Sequence, residues 1–331
     1  MAKPLRIAIN GLGRIGRTVL RQVLTDQRHD DIEVIHLNDI APAEMVAYLL
    51  QFDSVFGPLP HTVTVQPDAV RIGAKTLPLT QLADLGGVDL SGVDLVLDCT
   101  GKANTRSFAE AGLRAGAAGV LISGPSDVAD ATVVIGANDA ALGDAAIVSN
   151  ASCTTNALAP LMAALHDRFG VARAHMTTIH CYTGSQPMID APRGDMARSR
   201  AGALSMVPTT TSATRLVDSV LPALAGRITG AAVRVPTASV SAIDVVAQLE
   251  RPAPQPFAQA LETLAETSAV IGTTSYANVS TDLRARPESL VIALPETQQI
   301  GADQVRIFGW YDNEWGFSAR MIDMARRMAA R

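Results

Sequence analysis

Arg6-Ile7-Ala8-Ile9-Asn10-Gly11-Leu12-Gly13-Arg14-Ile15-Gly16 is the stretch that sets the architecture. A short apolar strand runs straight into glycines spaced G-x-G-x-x-G, and beyond them Val19, Leu20, Val23 and Leu24 recur at helical spacing. Strand, glycine turn and helix in that order describe a dinucleotide-binding unit. Gly11 permits the tight turn, Gly13 lets a pyrophosphate approach the backbone, and Gly16 lets helix and strand pack closely, with the phosphates on the helix N-terminus. A second apolar strand over 32–37 ends in Asn38-Asp39. A carboxylate at Asp39 would accept both ribose hydroxyls and repel a 2′-phosphate, favouring NAD over NADP; its alternative role is to cap a helix over 41–51.

Further strands are expected at 93–100, 119–123, 132–136 and 146–149, separated by helices or loops, which is the pattern of a Rossmann-type parallel sheet wound on both faces. Thr100 and Ser123 end two of these strands, where such sheets bind ligands, although each also fits ordinary turn chemistry. After a helix over 154–169 that contains Pro160, the pattern changes. Longer, mostly alternating strands at 171–181, 230–235, 240–249, 289–294 and 304–310, with a helix over 256–267, describe an α+β domain with a mixed or antiparallel sheet. The division expected is a dinucleotide-binding domain over 1–152, completed by a C-terminal helical segment over 313–331, and a catalytic domain over 153–312. A polar stretch without periodicity at 182–206 is too long for a mere connection and is expected to be functional or an interface.

Composition narrows the function. The 331 residues are 48% hydrophobic and 18% charged, with a net charge of −5, so no basic field exists for nucleic acid or an anionic membrane, and an anionic ligand must meet a local cluster. The first strand begins almost at once and no apolar run approaches a membrane span; the expected location is the cytoplasm. Cys99, Cys153 and Cys181 are too few and too irregularly spaced for a disulfide framework or a metal site, and reduced thiols are expected.

The chemistry centres on Ser149-Asn-Ala-Ser-Cys-Thr-Thr-Asn156. An apolar strand before it and a helix after it put Cys153 at a helix start, where unpaired N–H groups and the helix dipole favour a thiolate. Ser152 and Thr154 flank it with hydroxyls that either cap the helix or donate to an anionic substrate. His180 ends a strand, placed to take a proton from a thiol or to serve only structurally. Arg234, among apolar residues on a strand, needs an anion or a carboxylate partner, and Arg198 lies in the long polar stretch.

Taken together, the glycine motif, the octet around Cys153, His180-Cys-Tyr-Thr183, Arg234-Val-Pro-Thr237 and Trp310-Tyr-Asp-Asn-Glu-Trp-Gly316 resemble the phosphorylating glyceraldehyde-3-phosphate dehydrogenase family along essentially the whole chain. The resemblance implies Cys153 as nucleophile and His180 as its base. It implies NAD held by Gly11, Gly13, Arg14, Ile15, Asp39, Thr100 and Ser123, with Asn313 on the nicotinamide carboxamide. It implies the substrate's C3 phosphate on Arg234 and Thr183, and attacking inorganic phosphate on Ser152, Thr211 and Arg198. It also implies a homotetramer in which 182–206 reaches a neighbouring subunit's cofactor site.

The chain departs from the family pattern at Ser185, where Asp is usual, at Ser212, where Gly is usual, and at Ala197, Phe56, Phe317 and Cys181. Ser185 and Ser212 touch the phosphate sites. The competing readings are an erythrose-4-phosphate dehydrogenase, which hydrolyses its thioester with water, and a non-catalytic NAD-binding regulatory protein. Use of NADP beside NAD also stays open.

Overall fold

The computed structural model of the chain describes residues 3–331. It divides into two compact units, one comprising the residues up to Val133 with Ala140–Ala151 and Ser318–Arg331, the other Val134–Asp139 with Ser152–Phe317.

In the first unit the strand Leu5–Asn10 pairs in parallel with Ile32–Asn38 on one side and Leu95–Asp98 on the other. Gly119–Ile122 and Ile147–Ser149 extend the parallel run. Leu95–Asp98 and Gly119–Ile122 are buried at every position, as strands must be when helices cover both faces of a sheet. The expected doubly wound architecture is present, with the change of direction at the carboxyl end of the first strand, the place where such sheets bind ligands.

Two details differ from expectation. An antiparallel meander, Val63–Gln66, Ala69–Ile72 and Lys75–Thr80, forms one edge of the sheet, so the sheet is not parallel throughout. The strand expected at 132–136 shrinks to Ala131–Thr132. Asn138 Oδ1 accepts the Val134 N–H, Asp139 accepts the Gly136 N–H, and Gly136 takes φ +83, which turns the chain out of the sheet.

The second unit is a mixed sheet. Val171–Cys181 is an interior strand, parallel to Ile228–Val235 and antiparallel to Ser241–Leu249, which pairs in turn with Gln304–Tyr311. Gln304–Tyr311 alternates half-buried and buried residues along its whole length, the period of a strand with one face on a core. The helix Cys153–Phe169 runs through Pro160 and packs on this sheet. It ends at Gly170 in the left-handed region, φ +66, where a residue with a side chain would be strained. Short strands at Val207–Thr209 and Ile271–Thr274 and the helix Ala213–Val220 were not marked by any sequence period. The last helix, Trp315–Ala329, begins on a cap in which Asp312 accepts the N–H groups of Glu314 and Trp315 and that of Ala285. Its later turns belong to the first unit, where Arg326 bonds Asp31.

A Cβ added at Gly16 would overlap the Gly11 carbonyl oxygen and press on Ile9. Gly16→Ala is therefore expected to destabilise the protein by about 3 kcal/mol, the upper range for forcing extra atoms into a packed contact. A denaturant-unfolding midpoint unchanged from the parent would refute this packing role.

Candidate active site

A cleft of about 220 Å³ opens at the carboxyl ends of the first unit's parallel strands, lined by Gly11, Gly13, Asp39, Thr100 and their neighbours. Gly11 has φ +90, and a Cβ on it would come within 2.8 Å of the Thr100 backbone. At Gly13 a Cβ would meet nothing within 4 Å, so the backbone there faces open space at the N-cap of the helix Arg14–Thr25. Asp39 accepts the Leu12 N–H at 2.6 Å and the Ala41 N–H at 2.8 Å. It thus ties the glycine turn to the segment leading into the next helix, which begins at Ala43 rather than at 41. These features fit a dinucleotide: an open backbone for the pyrophosphate, a helix start for its charge and a carboxylate at the strand end.

Arg14 is engaged elsewhere, its guanidinium paired with the buried Asp53 carboxylate and lying over the Phe56 ring at 5.6 Å. Any contact of Arg14 and Ile15 with phosphate falls to their first-turn N–H groups. Ser123 donates its N–H to Asp98 O and sets its side chain beside Cys99.

Beneath the cleft runs a polar ladder that sequence reasoning missed. Asn10 donates to Asp98 (3.1 Å), Asn38 donates to Asn10 (2.8 Å), and Thr80 donates to Asn38 (2.7 Å). Thr100 closes it by donating Oγ1–H to Asp98 (2.7 Å). The signal was available: each of these apolar strands ends in a side chain able to hydrogen-bond.

In the second unit Cys153 is the first residue of its helix, and His180 lies near the end of the strand Val171–Cys181. Cys153 Sγ and His180 Nε2 are 3.6 Å apart. Ser152 caps the helix, accepting the Thr155 N–H at 3.1 Å. Thr154 is buried, and its hydroxyl shares a 2.8 Å hydrogen bond with Tyr311 while also supporting the Cys153 sulfur. Of the two hydroxyls expected to cap the helix or to meet an anionic substrate, Ser152 supplies the cap, and that of Thr154 bonds Tyr311. The Tyr311 hydroxyl also bonds Thr178 (2.8 Å), and its ring meets His180 edge-on at 6.0 Å.

The strand register sets His180 directly beside Arg234. Arg234 Nη1 lies 2.6 Å from His180 Nδ1 and 2.9 Å from the Cys181 carbonyl, and that carbonyl is 2.7 Å from Nδ1. An Nδ1–H donated to Cys181 O leaves Nε2 as an acceptor facing the sulfur; with Arg234 donating to Nδ1, the proton sits on Nε2 instead.

Burial pushes the Cys153 thiol up, against the pull of the Thr154 hydroxyl, the Arg234 charge and backbone N–H groups. Burial thus opposes the helix start, whose N–H groups and dipole favour a thiolate. Burial, followed by the Arg234 charge, lowers the His180 imidazole to about 4. Burial thus disfavours the charged form of each group taken singly. Moving the proton from sulfur to imidazole creates opposite charges that attract across their short separation, with the sulfur's charge on the helix N-terminus.

Asn313 is buried, and its Oδ1 accepts from Cys181 Sγ (3.2 Å) and Ser241 Oγ (3.1 Å). Thr183 Oγ1 is 2.9 Å from Ser185 Oγ. Arg198 bonds the hydroxyls of Thr209 and Thr210, while Thr211 accepts the Ala213 N–H at the start of the helix Ala213–Val220. The structure thus brings Cys153, His180 and Arg234 together, and sets Arg198 on the threonine run that ends at Thr211.

A cleft that fits a dinucleotide in one unit and a cysteine–imidazole pair in the other are the equipment of an oxidoreductase. Comparison with known proteins agrees. Residues 5–106 match the family described as glyceraldehyde 3-phosphate dehydrogenase, NAD binding domain, and residues 152–313 match glyceraldehyde 3-phosphate dehydrogenase, C-terminal domain. Proteins named glyceraldehyde-3-phosphate dehydrogenase from Cereibacter sphaeroides and Xanthobacter flavus are 45% and 44% identical to the chain, each alignment covering 98% of both sequences. A third, from Pseudomonas aeruginosa, is 42% identical over 98% of both. The chain belongs to the glyceraldehyde 3-phosphate dehydrogenase family.

Burial pushes the Cys99 and Cys181 thiols up to about 12, and neither has an imidazole partner in reach of its sulfur among the described residues. Cys153 is expected to be alkylated by iodoacetamide much faster than Cys99 or Cys181 at pH 7, and His180→Asn is expected to slow it. Peptide-level mass spectrometry checks both, and equal labelling of the thiols would contradict the pairing.

Proposed function

We propose that the chain oxidises and phosphorylates glyceraldehyde 3-phosphate with NAD, carrying the acyl group on the Cys153 sulfur. The observation that supports this most is the contact between Cys153 and His180 with Arg234 beside it: nucleophile, base and anion clamp meet at one helix start. A pure NAD-binding regulator has no use for that combination.

In the reaction, Cys153 passes its proton to His180 Nε2 and the sulfur attacks the aldehyde carbon. The imidazolium protonates the resulting alkoxide to give a hemithioacetal. Bound NAD supplies the acceptor for the hydride that leaves this carbon. His180 takes the hydroxyl proton in the same step, and the carbonyl forms again as a thioester on Cys153. The Cys153 N–H, at the helix start, is assigned to stabilise the oxyanion. Inorganic phosphate then attacks the thioester, and sulfur departs as thiolate to recover its proton from His180. Asn313 is assigned to the nicotinamide carboxamide, Arg234 and Thr183 to the substrate's phosphate, and Ser152, Thr211 and Arg198 to the attacking phosphate.

NAD is preferred over NADP because Asp39 stands at the strand end beside the cleft, where a 2′-phosphate would be repelled. Self-association into a homotetramer is supported by the stretch 182–206, where Met188, Ile189, Met196, Leu204 and Met206 are all exposed. Free thiols at all three cysteines suit a cytoplasmic location.

Cys153→Ser is expected to abolish aldehyde-dependent NADH formation while leaving NAD affinity unchanged. His180→Asn should lower kcat roughly 10²- to 10⁴-fold, the range for losing a positioned acid–base group. Omitting phosphate should limit wild-type enzyme to a stoichiometric burst of NADH, because the thioester has no acceptor. Sustained phosphate-independent turnover of erythrose 4-phosphate would overturn the assignment in favour of the hydrolysing dehydrogenase. Unchanged NADH formation by Cys153→Ser would overturn the thiol mechanism itself.

A further inference from the structure

Asn313 is held by two donors from two different strands. Ser241 Oγ accepts the Cys181 backbone N–H at 3.2 Å, so its own hydroxyl proton is directed to Asn313 Oδ1 at 3.1 Å. The Cys181 thiol reaches the same oxygen at 3.2 Å, and burial keeps that thiol protonated and hence a donor. Ser241 and Cys181 are each about 1% exposed and Asn313 is 6% exposed, so water does not compete for these bonds. Turning the amide over would set its NH2 against both groups and leave the Ser241 proton without its acceptor, which is costly in a buried place.

We infer that Cys181 and Ser241 are positioning residues that lock the Asn313 amide with Nδ2 as its outward end, so that the site recognises a carbonyl oxygen on the ring it binds. This rests on the assignment of Asn313 to the nicotinamide carboxamide. The carboxamide carries both an acceptor and a donor, and a freely turning asparagine would take it either way round. A locked donor accepts the oxygen and makes the carboxamide NH2 dispensable. The Cys181 thiol adds a second donor to the one Ser241 supplies.

The test compares dissociation constants for NAD, for 3-acetylpyridine adenine dinucleotide, which keeps the oxygen and lacks the NH2, and for ADP-ribose, which lacks the ring. Isothermal calorimetry on the full chain serves as readout. Wild type should bind the acetylpyridine analogue nearly as tightly as NAD. Cys181→Ala combined with Ser241→Ala should weaken NAD about tenfold, the usual worth of one directed hydrogen bond, while ADP-ribose affinity stays unchanged and shows that the fold is intact. Restoring a hydroxyl donor with Cys181→Ser in the Ser241→Ala background should recover most of the loss.

If wild type bound the acetylpyridine analogue no better than ADP-ribose, the amide would point the other way and the inference would fall. It would fall equally if Asn313→Ala weakened NAD and the double alanine variant did not. Should Asn313→Ala leave NAD affinity intact, the assignment of Asn313 itself would be wrong. Were the double variant to lose ADP-ribose binding too, the single variants Ser241→Ala and Cys181→Ala decide: NAD weakened selectively supports the lock, and NAD unchanged in both overturns it.

Discussion

A sulfur and an imidazole that must stand within bonding distance are supplied by residues 153 and 180, and the chain between them is a helix that goes out and a strand that comes back. The helix Cys153–Phe169 rises roughly 25 Å at about 1.5 Å per residue, and the return strand covers about 30 Å at its longer rise. One reversal at Gly170, in the left-handed conformation, joins them. The pair therefore forms where the helix begins and the strand ends, and everything that keeps helix and strand packed keeps the sulfur and the imidazole in reach. The Ser152 cap fixes one end of this unit, and the Cys181 carbonyl against His180 Nδ1 fixes the other.

Burial at that meeting point works against charge on either partner alone: it raises the thiol and lowers the imidazole. The same burial strengthens their attraction once a proton has crossed, and it strengthens the helix N-terminus beneath the sulfur. Arg234 acts on both sides of this balance. Its charge favours the thiolate and disfavours the imidazolium, so an anion that neutralises Arg234 shifts the imidazole toward accepting a proton. On the assignment proposed for Arg234, a substrate phosphate there would couple recognition of the substrate to the basicity of His180.

Much of this was legible in the sequence because it is local. Three glycines fixed by spacing, a strand before them and a helix after them leave little freedom, and the strands Leu5–Asn10 and Val171–Cys181 lie where the apolar patterns put them. The meander at 63–80 was not legible, since its strands are short, half exposed and carry a proline within Lys75–Thr80. Nor was the pairing of His180 with Arg234, which is a matter of register between strands 54 residues apart. Arg14 and Thr154 sit where the motifs suggest, yet Asp53 and Tyr311 claim their side chains, and no spacing rule foretells a partner from another element.

Cys181 shows why motif reading stops short of the site's organisation. As a residue type it is a small buried thiol, and burial pushes it up to about 12. Its backbone carbonyl nevertheless touches both His180 and Arg234, its N–H engages Ser241, and its sulfur reaches Asn313. A single strand residue thereby links His180, Arg234 and the amide assigned to the cofactor ring. Any shift of this residue along its strand would disturb all of them together, so the antiparallel pairing with Ser241–Leu249 and the parallel pairing with Ile228–Val235 hold the chemistry as firmly as they hold the sheet.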